Sequence, residues 1–327
     1  MPRAVVVATG MGVPDKVMTN HDLEKFVDTT DEWIVQRTGI RERRVSEPDE
    51  FASTFCIRAA NQILEKGQID PLEIDLVVVA TVTGDLIFPS TACYVQEQIG
   101  AWNAGAYDLG AACAGFIYAM ASAGAQIETG HVRNALVLGV DVLTKYVDWN
   151  DRSTCVLFGD GAGGGFLQGV EGTDRGLERT VLLSDGRGAK YINYEVGGSR
   201  YPVGTPQAEG KRRGIYMNGA ETYRFAVNAM GDACCRVLEE AGLTANDIDL
   251  FVPHQANLRI IDSARERLGL PEERVFVNVD RYGNTSAGSI PIGLCEAEAA
   301  GRLKPGMRVL TVGFGAGLVW GANIIKW

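Results

Sequence analysis

Unbroken apolar runs alternate with amphipathic stretches along most of this chain. Residues 4–9, 75–81, 135–140, 248–253 and 308–312 are rich in Val, Leu and Ile. Runs of that length without polar alternation predict strands covered on both faces, as in parallel sheets. Between them, Ile57, Ala60 and Leu64 fall at helical spacing in residues 55–66, and Phe225, Ala229, Ala233 and Val237 form one stripe further on. Residues 20–26 read as a short capped helix, and the Arg-Glu-Arg-Arg run at 41–44 as a charged loop. The longest uncharged stretch covers 19 residues, 109–127, and its start, Leu-Gly-Ala-Ala-Cys-Ala-Gly, is almost all small. This pattern predicts a strand ending near Leu109, a tight turn, and a helix starting at or near Cys113. A membrane span is disfavoured, because three glycines, Ser122 and Gln126 dilute the stretch and both flanks, Asp108 and Glu128, are acidic.

The second half of the chain repeats the order of the first. Gly-Gln-Ile-Asp-Pro-Leu-Glu-Ile-Asp-Leu precedes the strand at 75, and Gly-Leu-Thr-Ala-Asn-Asp-Ile-Asp-Leu precedes the strand at 249. A small-residue turn follows each: Cys113 lies 39 residues after Ile74, and Asn284 lies 36 after Ile248. A duplication of roughly 165 residues accounts for this, and places Asn284 where Cys113 stands in the first half. The expected fold is α/β: two halves, 1–172 and 173–327, each a mostly parallel or mixed sheet with helices on its faces. Residues 171–213, rich in glycine and charge, read as a linker and surface loops. Gly-Asp-Gly-Ala-Gly-Gly-Gly at 159–165 lacks the Lys-Ser/Thr of a phosphate loop and reads as a tight turn.

Charge and cysteine content narrow the class. The net charge of −10 argues against sequence-wide attraction to nucleic acid or anionic membrane. Seven cysteines with no Cys-x-x-Cys spacing predict free thiols in a reducing cytoplasm. The apolar N-terminus runs straight into Pro14, Asp15 and Lys16 with no cleavage-type site, so a strand is expected there and not an export signal.

Three residues stand out chemically. Cys113, at a strand-to-helix turn, faces the positive end of a helix dipole, which favours thiolate; its ordinary alternative is an inert buried cysteine. Only three histidines occur, and His254 alone follows a buried strand, at the carboxyl end where α/β sheets build sites. Asn284 lies in Gly-Asn-Thr-Ser-Ala-Gly, where asparagine also serves as a helix cap. Two pseudo-symmetric turns facing each other would join Cys, His and Asn in one site. No metal-ligand spacing is present.

The runs Asp-Leu-Gly-Ala-Ala-Cys-Ala-Gly-Phe, Val-Pro-His-Gln-Ala-Asn-Leu-Arg and Arg-Tyr-Gly-Asn-Thr-Ser-Ala-Gly-Ser resemble the three active-site motifs of the β-ketoacyl-acyl-carrier-protein synthase III family. Residues 28–43 and 313–321 resemble it too, so the likeness spans nearly the whole chain. It implies a duplicated thiolase-like fold, layered α-β-α-β-α, and a homodimer. It also implies a decarboxylating Claisen condensation of a primer acyl-coenzyme A with malonyl-acyl-carrier protein. No permanently bound cofactor is expected, the coenzyme A thioester being substrate. By resemblance, Cys113 carries the acyl group, and an oxyanion hole joins its N–H to the turn Phe314, Gly315, Ala316 and Gly317. His254 and Asn284 stabilise the enolate. Trp33 and Arg152 sandwich adenine, and Thr29, Arg37 and Asn257 contact coenzyme A. Phe88 enters the partner's acyl pocket. Arg259 docks the acidic carrier protein, with Arg224, Arg265 and Arg267 extending a basic patch or merely solvating a helix face. Ala220 departs from members with asparagine there, which touches pantetheine contacts and not the reaction. Elongating synthases, with Cys-His-His, and thiolases, with a second C-terminal cysteine, are disfavoured. A secondary-metabolism enzyme of the same fold and a catalytically silent partner subunit are the rival readings.

Overall fold

The computed structural model covers residues 1–327. The apolar runs become strands of two stacked sheets. The first has five strands in the order Arg3–Gly12, Asp160–Val170, Asn134–Val142, Leu76–Ala80, Gly105–Leu109. The second has four, Gly176–Ser184, Val319–Lys326, Arg308–Gly315 and Leu250–Pro253. Read in these directions the sheets match strand for strand. The missing fifth partner of the second sheet survives as one parallel bridge, Phe251 to Val275. The parallel pairs are Leu76–Ala80 with both its neighbours, and Leu250–Pro253 with Arg308–Gly315; the remaining ladders are antiparallel. The sheets are therefore mixed.

Between the sheets lie the helices Gly115–Glu128 and Ser289–Ala299. The first touches strands of both sheets, which is why its sequence is apolar all round. No helix is long and apolar enough to cross a membrane. Ala52–Gly67 covers the outer face of the first sheet, and Gly219–Ala241 with Leu258–Leu268 covers that of the second. Helix, sheet, helix, sheet, helix is the five-layered thiolase-like arrangement.

Three sequence expectations change here. The glycines at 159–165 do not form a turn. Asp160–Val170 is a central strand, and its bare backbone lets a buried helix sit directly on it: a Cβ on Gly163 would lie 2.6 Å from Ile292 N. Gly176–Ser184, inside the expected linker, is an edge strand; the polar run Glu178, Arg179 and Thr180 breaks up its apolar residues and hides it from a search for continuous runs. In the charged run 41–44, Glu42–Arg44 is a strand and Arg43 is wholly buried. The Arg43 guanidinium donates to Met18 O at 3.1 Å, Asn20 Oδ1 at 2.8 Å and Val156 O at 3.0 Å. It has no carboxylate partner, and burial pushes its pKa down to about 10.

The duplication also has a sharper register. Ala112 and Ser286 are both left-handed, with φ 46° and 50°, each one turn before a central helix. Gly139 and Gly313 each receive the backbone of the opposite turn: their Cβ atoms would lie 2.2 Å from Ala287 O and 3.3 Å from Cys113 O. Both pairs share an offset of 174 residues (112 to 286, 139 to 313). The positional mate of Cys113 is therefore Ala287, and Asn284 lies three residues earlier, in the approach to its turn. The expected equivalence of Asn284 and Cys113 is corrected accordingly.

Candidate active site

A cavity of about 670 Å³ opens between the two halves, and Cys113, His254 and Asn284 all line it. Cys113 sits in a 3-10 turn, Ala112–Ala114, that feeds the helix Gly115–Glu128. Gly315 presses on this turn: a Cβ there would be 2.6 Å from Cys113 N. Phe314, Gly315 and Ala316 line the cavity with it, whereas Gly317 lies beyond.

His254 follows the strand Leu250–Pro253 and is 1% exposed. Its Nδ1 meets Ser289 Oγ at 2.6 Å, and the same hydroxyl accepts from Gln255 N–H at 3.3 Å. We assign the hydroxyl proton to Nδ1, which places the imidazole proton on Nε2, the nitrogen that makes no hydrogen bond within the protein. Burial pushes the imidazole pKa down to about 3, so the ring is neutral. Asn284 is clamped by backbone bonds, N–H to Leu157 O at 2.8 Å and O from Gly159 N–H at 3.1 Å. Its Oδ1 accepts from Ser286 N–H at 2.8 Å, which commits the oxygen and leaves Nδ2 as a donor with no partner within the protein. The site thus holds two uncommitted N–H donors beside a thiol.

The thiol differs from expectation. Cys113 is half-buried, its hydrogen-bond partner is Ser286 Oγ at 3.2 Å and not His254, and burial pushes it up to about 12. A neutral imidazole supplies no positive charge to stabilise a thiolate, and the buried Asp141 carboxylate raises the thiol further. The resting group is a thiol.

Trp33 and Arg37 line the mouth, with the Arg37 guanidinium 4.7 Å from the indole centroid. Arg152 covers the same ring at 5.4 Å and donates to Asp28 O at 2.7 Å. A base between two stacking partners needs about 7 Å, so the expected sandwich is closed in this state. Thr29 lies outside the cavity lining, with its Oγ1 buried and unpartnered. Asn257 lines the cavity, but its amide is committed: Oδ1 caps Arg259 N–H at 2.9 Å and Nδ2 donates to Arg37 O at 3.0 Å. It thereby caps its own helix and ties two cavity walls together.

Arg259 lines the cavity, over the Tyr223 ring at 5.4 Å and without an acidic partner. Arg224 pairs with Glu221, Arg265 with Asp262 and Glu266, and Arg267 with Asp232, so those three cations are compensated on the spot. Phe88 is 81% exposed and away from this chain's own cavity, as is Ala220 at the start of its helix. Sequence reasoning passed over Ser286 and Ser289; their signal was their place in the Asn-Thr-Ser-Ala-Gly-Ser run, where both stand at helix-start positions.

Two mixed sheets enclosing two helices, with a cysteine at the turn into one of them, define a thiolase-fold protein. Residues 107–186 match the family described as 3-oxoacyl-[acyl-carrier-protein] synthase III, and residues 238–327 match its C-terminal part. The chain is 51% identical over 322 residues to β-ketoacyl-[acyl-carrier-protein] synthase III of Symbiobacterium thermophilum, covering 98% of this chain and 97% of that one. It is 48% identical to the enzyme of that name from Caldanaerobacter subterraneus, over 99% of this chain and 98% of the relative. The crystal structure of the Thermus thermophilus synthase III superposes with a TM-score of 0.92 at 51% identity, covering 98% of each chain. The chain belongs to the β-ketoacyl-acyl-carrier-protein synthase III family.

Proposed function

We infer that this enzyme is an acyltransferase that condenses a primer acyl-coenzyme A with malonyl-acyl-carrier protein, releasing carbon dioxide and initiating fatty-acid synthesis. The observation that carries the residue assignment is the trio of thiol, Nε2–H and Nδ2–H on one cavity, the two donors having no other partner. Cys113 Sγ attacks the primer thioester, and the backbone N–H of Cys113 with one from the Phe314–Ala316 turn takes the oxyanion. Coenzyme A leaves, and malonyl-acyl-carrier protein enters by the same mouth, past Arg259. As the malonyl carboxylate departs, its electron pair moves into the thioester, where His254 and Asn284 meet the growing oxyanion. The carbanion then attacks acyl-Cys113. Donors that act on charge present only in the transition state lower the barrier without tightening substrate binding.

Arg37, Trp33 and, once swung off the indole, Arg152 form the coenzyme A end. The enzyme works as a cytoplasmic homodimer, with Phe88 completing the partner's acyl pocket, and the two halves divide near residue 172. A secondary-metabolism role is supported by 38% identity to the priming β-ketosynthase of the R1128 polyketide pathway; the synthase III relatives at 48–51% favour the fatty-acid role.

The test follows the two half-reactions separately, acyl-enzyme by intact mass and labelled carbon dioxide from malonyl-acyl-carrier protein. Asn284→Ala should still be acylated by acetyl-coenzyme A but lose about 10²–10³ in carbon dioxide release. Cys113→Ala should form no acyl-enzyme and still decarboxylate. Decarboxylation by Asn284→Ala at the wild-type rate would reduce Asn284 to a turn-forming residue.

A further inference from the structure

A donor helps only where it is aimed, and the segment that leads into Asn284 has little regular structure of its own. Between Phe276 and Asn284 its one helix is Val279–Tyr282, four residues long, too short to hold its shape unaided. Two side chains from outside the segment hold it instead. Gln255, next to His254 in the chain and 1% exposed, spends its whole amide on backbone. Its Nε2 donates to Pro253 O at 2.9 Å and Phe276 O at 3.1 Å, and its Oε1 accepts from Asn278 N–H at 3.0 Å and Val279 N–H at 3.2 Å. Glu296 holds the end nearer Asn284. Its Oε2 accepts from Asn278 Nδ2 at 2.9 Å and Arg281 Nη2 at 2.9 Å, and its Oε1 from Arg281 Nη1 at 2.8 Å and the Tyr282 hydroxyl at 2.8 Å. These donors fill the acceptor sites of one carboxylate. Glu296 lies on the central helix Ser289–Ala299, about two turns beyond Ser289, whose hydroxyl meets His254 Nδ1 at 2.6 Å. One helix therefore grips the histidine at its start and the asparagine's segment further along, which fixes the spacing between His254 Nε2 and Asn284 Nδ2.

We propose that Glu296 is a positioning residue for the decarboxylation step: through Asn278, Arg281 and Tyr282 it sets where the Asn284 donor stands relative to that of His254. The two donors must meet one oxyanion together, and displacing one of them by about 1 Å is enough to cost about 10²-fold in rate. Because the charge they meet appears only as carbon dioxide leaves, the loss falls on the rate and not on malonyl binding. The role needs a carboxylate. A glutamine of the same shape would turn an NH₂ group toward donors that have nothing to accept with, so the clamp opens although the volume stays filled. Acyl transfer to Cys113 uses the thiol and the Phe314–Ala316 turn, and the hydrogen bonds of Glu296 go to neither. The two half-reactions should therefore respond differently to its loss.

The role of Glu296 rests on Asn284 acting as a donor in decarboxylation, as proposed above. The experiment is a double-mutant cycle on the whole enzyme, with Glu296→Gln, Asn284→Ala and both together. Release of labelled carbon dioxide from malonyl-acyl-carrier protein is followed against substrate concentration, and acylation by acetyl-coenzyme A by intact mass. Glu296→Gln should slow carbon dioxide release at saturating substrate by about tenfold or more, with KM and acylation each within about twofold of wild type. In the Asn284→Ala background the same change should cost no more than about twofold, because there is no longer an asparagine to aim. Equal losses in both half-reactions, or a tenfold loss that persists without Asn284, would make Glu296 a general support of the fold and overturn the proposal. So would decarboxylation by Glu296→Gln at the wild-type rate beside a slow Asn284→Ala. Should Glu296→Gln lose its cooperative melting transition, Tyr282→Phe decides: it removes one donor to the carboxylate and keeps the ring, and undiminished carbon dioxide release overturns the proposal. Decarboxylation by Asn284→Ala itself at the wild-type rate overturns the underlying reading instead, and the role of Glu296 with it.

Discussion

The chemistry of single residues here is governed by burial more than by charge. Cys113 and His254 are both pushed toward their neutral forms, the thiol up to about 12 and the imidazole down to about 3. Two pH dependences follow. Alkylation of Cys113 by iodoacetamide should keep rising past the free-thiol value of about 8.5; an inflection at or below that value would mean that something in the fold stabilises thiolate after all. For His254 the folded-state pKa lies below the unfolded value, so the unfolded chain binds the proton first as pH falls. Its contribution to stability is complete above about 6.5 and shrinks with acid down toward the folded value. Urea midpoints should therefore fall between pH 6.5 and 4, and the fall should be smaller in His254→Asn than in the wild type. Equal slopes in the two proteins would contradict a buried neutral imidazole.

At the scale of elements, the site depends on backbones that touch. Gly139, Gly163, Gly313 and Gly315 stand where a strand meets a turn or helix of the facing layer, and that contact brings the two turns to one cavity. Gly163→Ala would place a methyl 2.6 Å from Ile292 N and 2.8 Å from Pro291 C, both backbone atoms that cannot rotate away. It should cost about 1–3 kcal/mol, read as a lowered urea midpoint with unchanged slope. Gly186→Ala, with nothing within 4 Å of its added methyl, is the control. Equal midpoints for the two variants would show that the central helix gives way easily. Arg43 works at the same scale. Its bond to Val156 O holds the segment whose Leu157 and Gly159 clamp Asn284, so a buried cation without an acid supports the donor from behind.

For the molecule as a whole, the exposed apolar tip Leu86, Ile87 and Phe88, at 57%, 86% and 81% exposure, stands out on a chain with a net charge of −10. Residues of that kind seldom face water together unless a partner covers them. Sedimentation velocity should show a dimer for the wild type and a shift toward monomer for Phe88→Asp. Phe88→Ala should move primer preference toward longer or branched acyl groups in a competition of acetyl-, isobutyryl- and octanoyl-coenzyme A. A monomeric wild type, or an unchanged preference, would remove Phe88 from the acyl pocket.

What the sequence alone determined is whatever depends on local pattern. Continuous apolar runs specified the strands around residues 4–9, 75–81, 135–140, 248–253 and 308–312, an uncharged stretch specified the helix after Cys113, and motif order pointed to the family. His254 was legible because a histidine straight after a buried strand is rare, and Cys113 because small residues surround it. The tertiary structure decided what depends on which surfaces meet. Glycines at 159–165 look like a turn until a helix is seen lying on them. Arg43 looks solvated until its carbonyl partners, from 25 to 113 residues away in the chain, are seen to surround it. That the Asn257 amide ties a neighbouring helix to its own is likewise visible only once Arg37 and Arg259 are seen on either side of it. The protonation of the thiol was beyond the sequence for the same reason. A helix start argues for thiolate, but burial and the carboxylate of Asp141, brought up from the end of another strand, argue more strongly against it, and neither is a property of the residues next to Cys113.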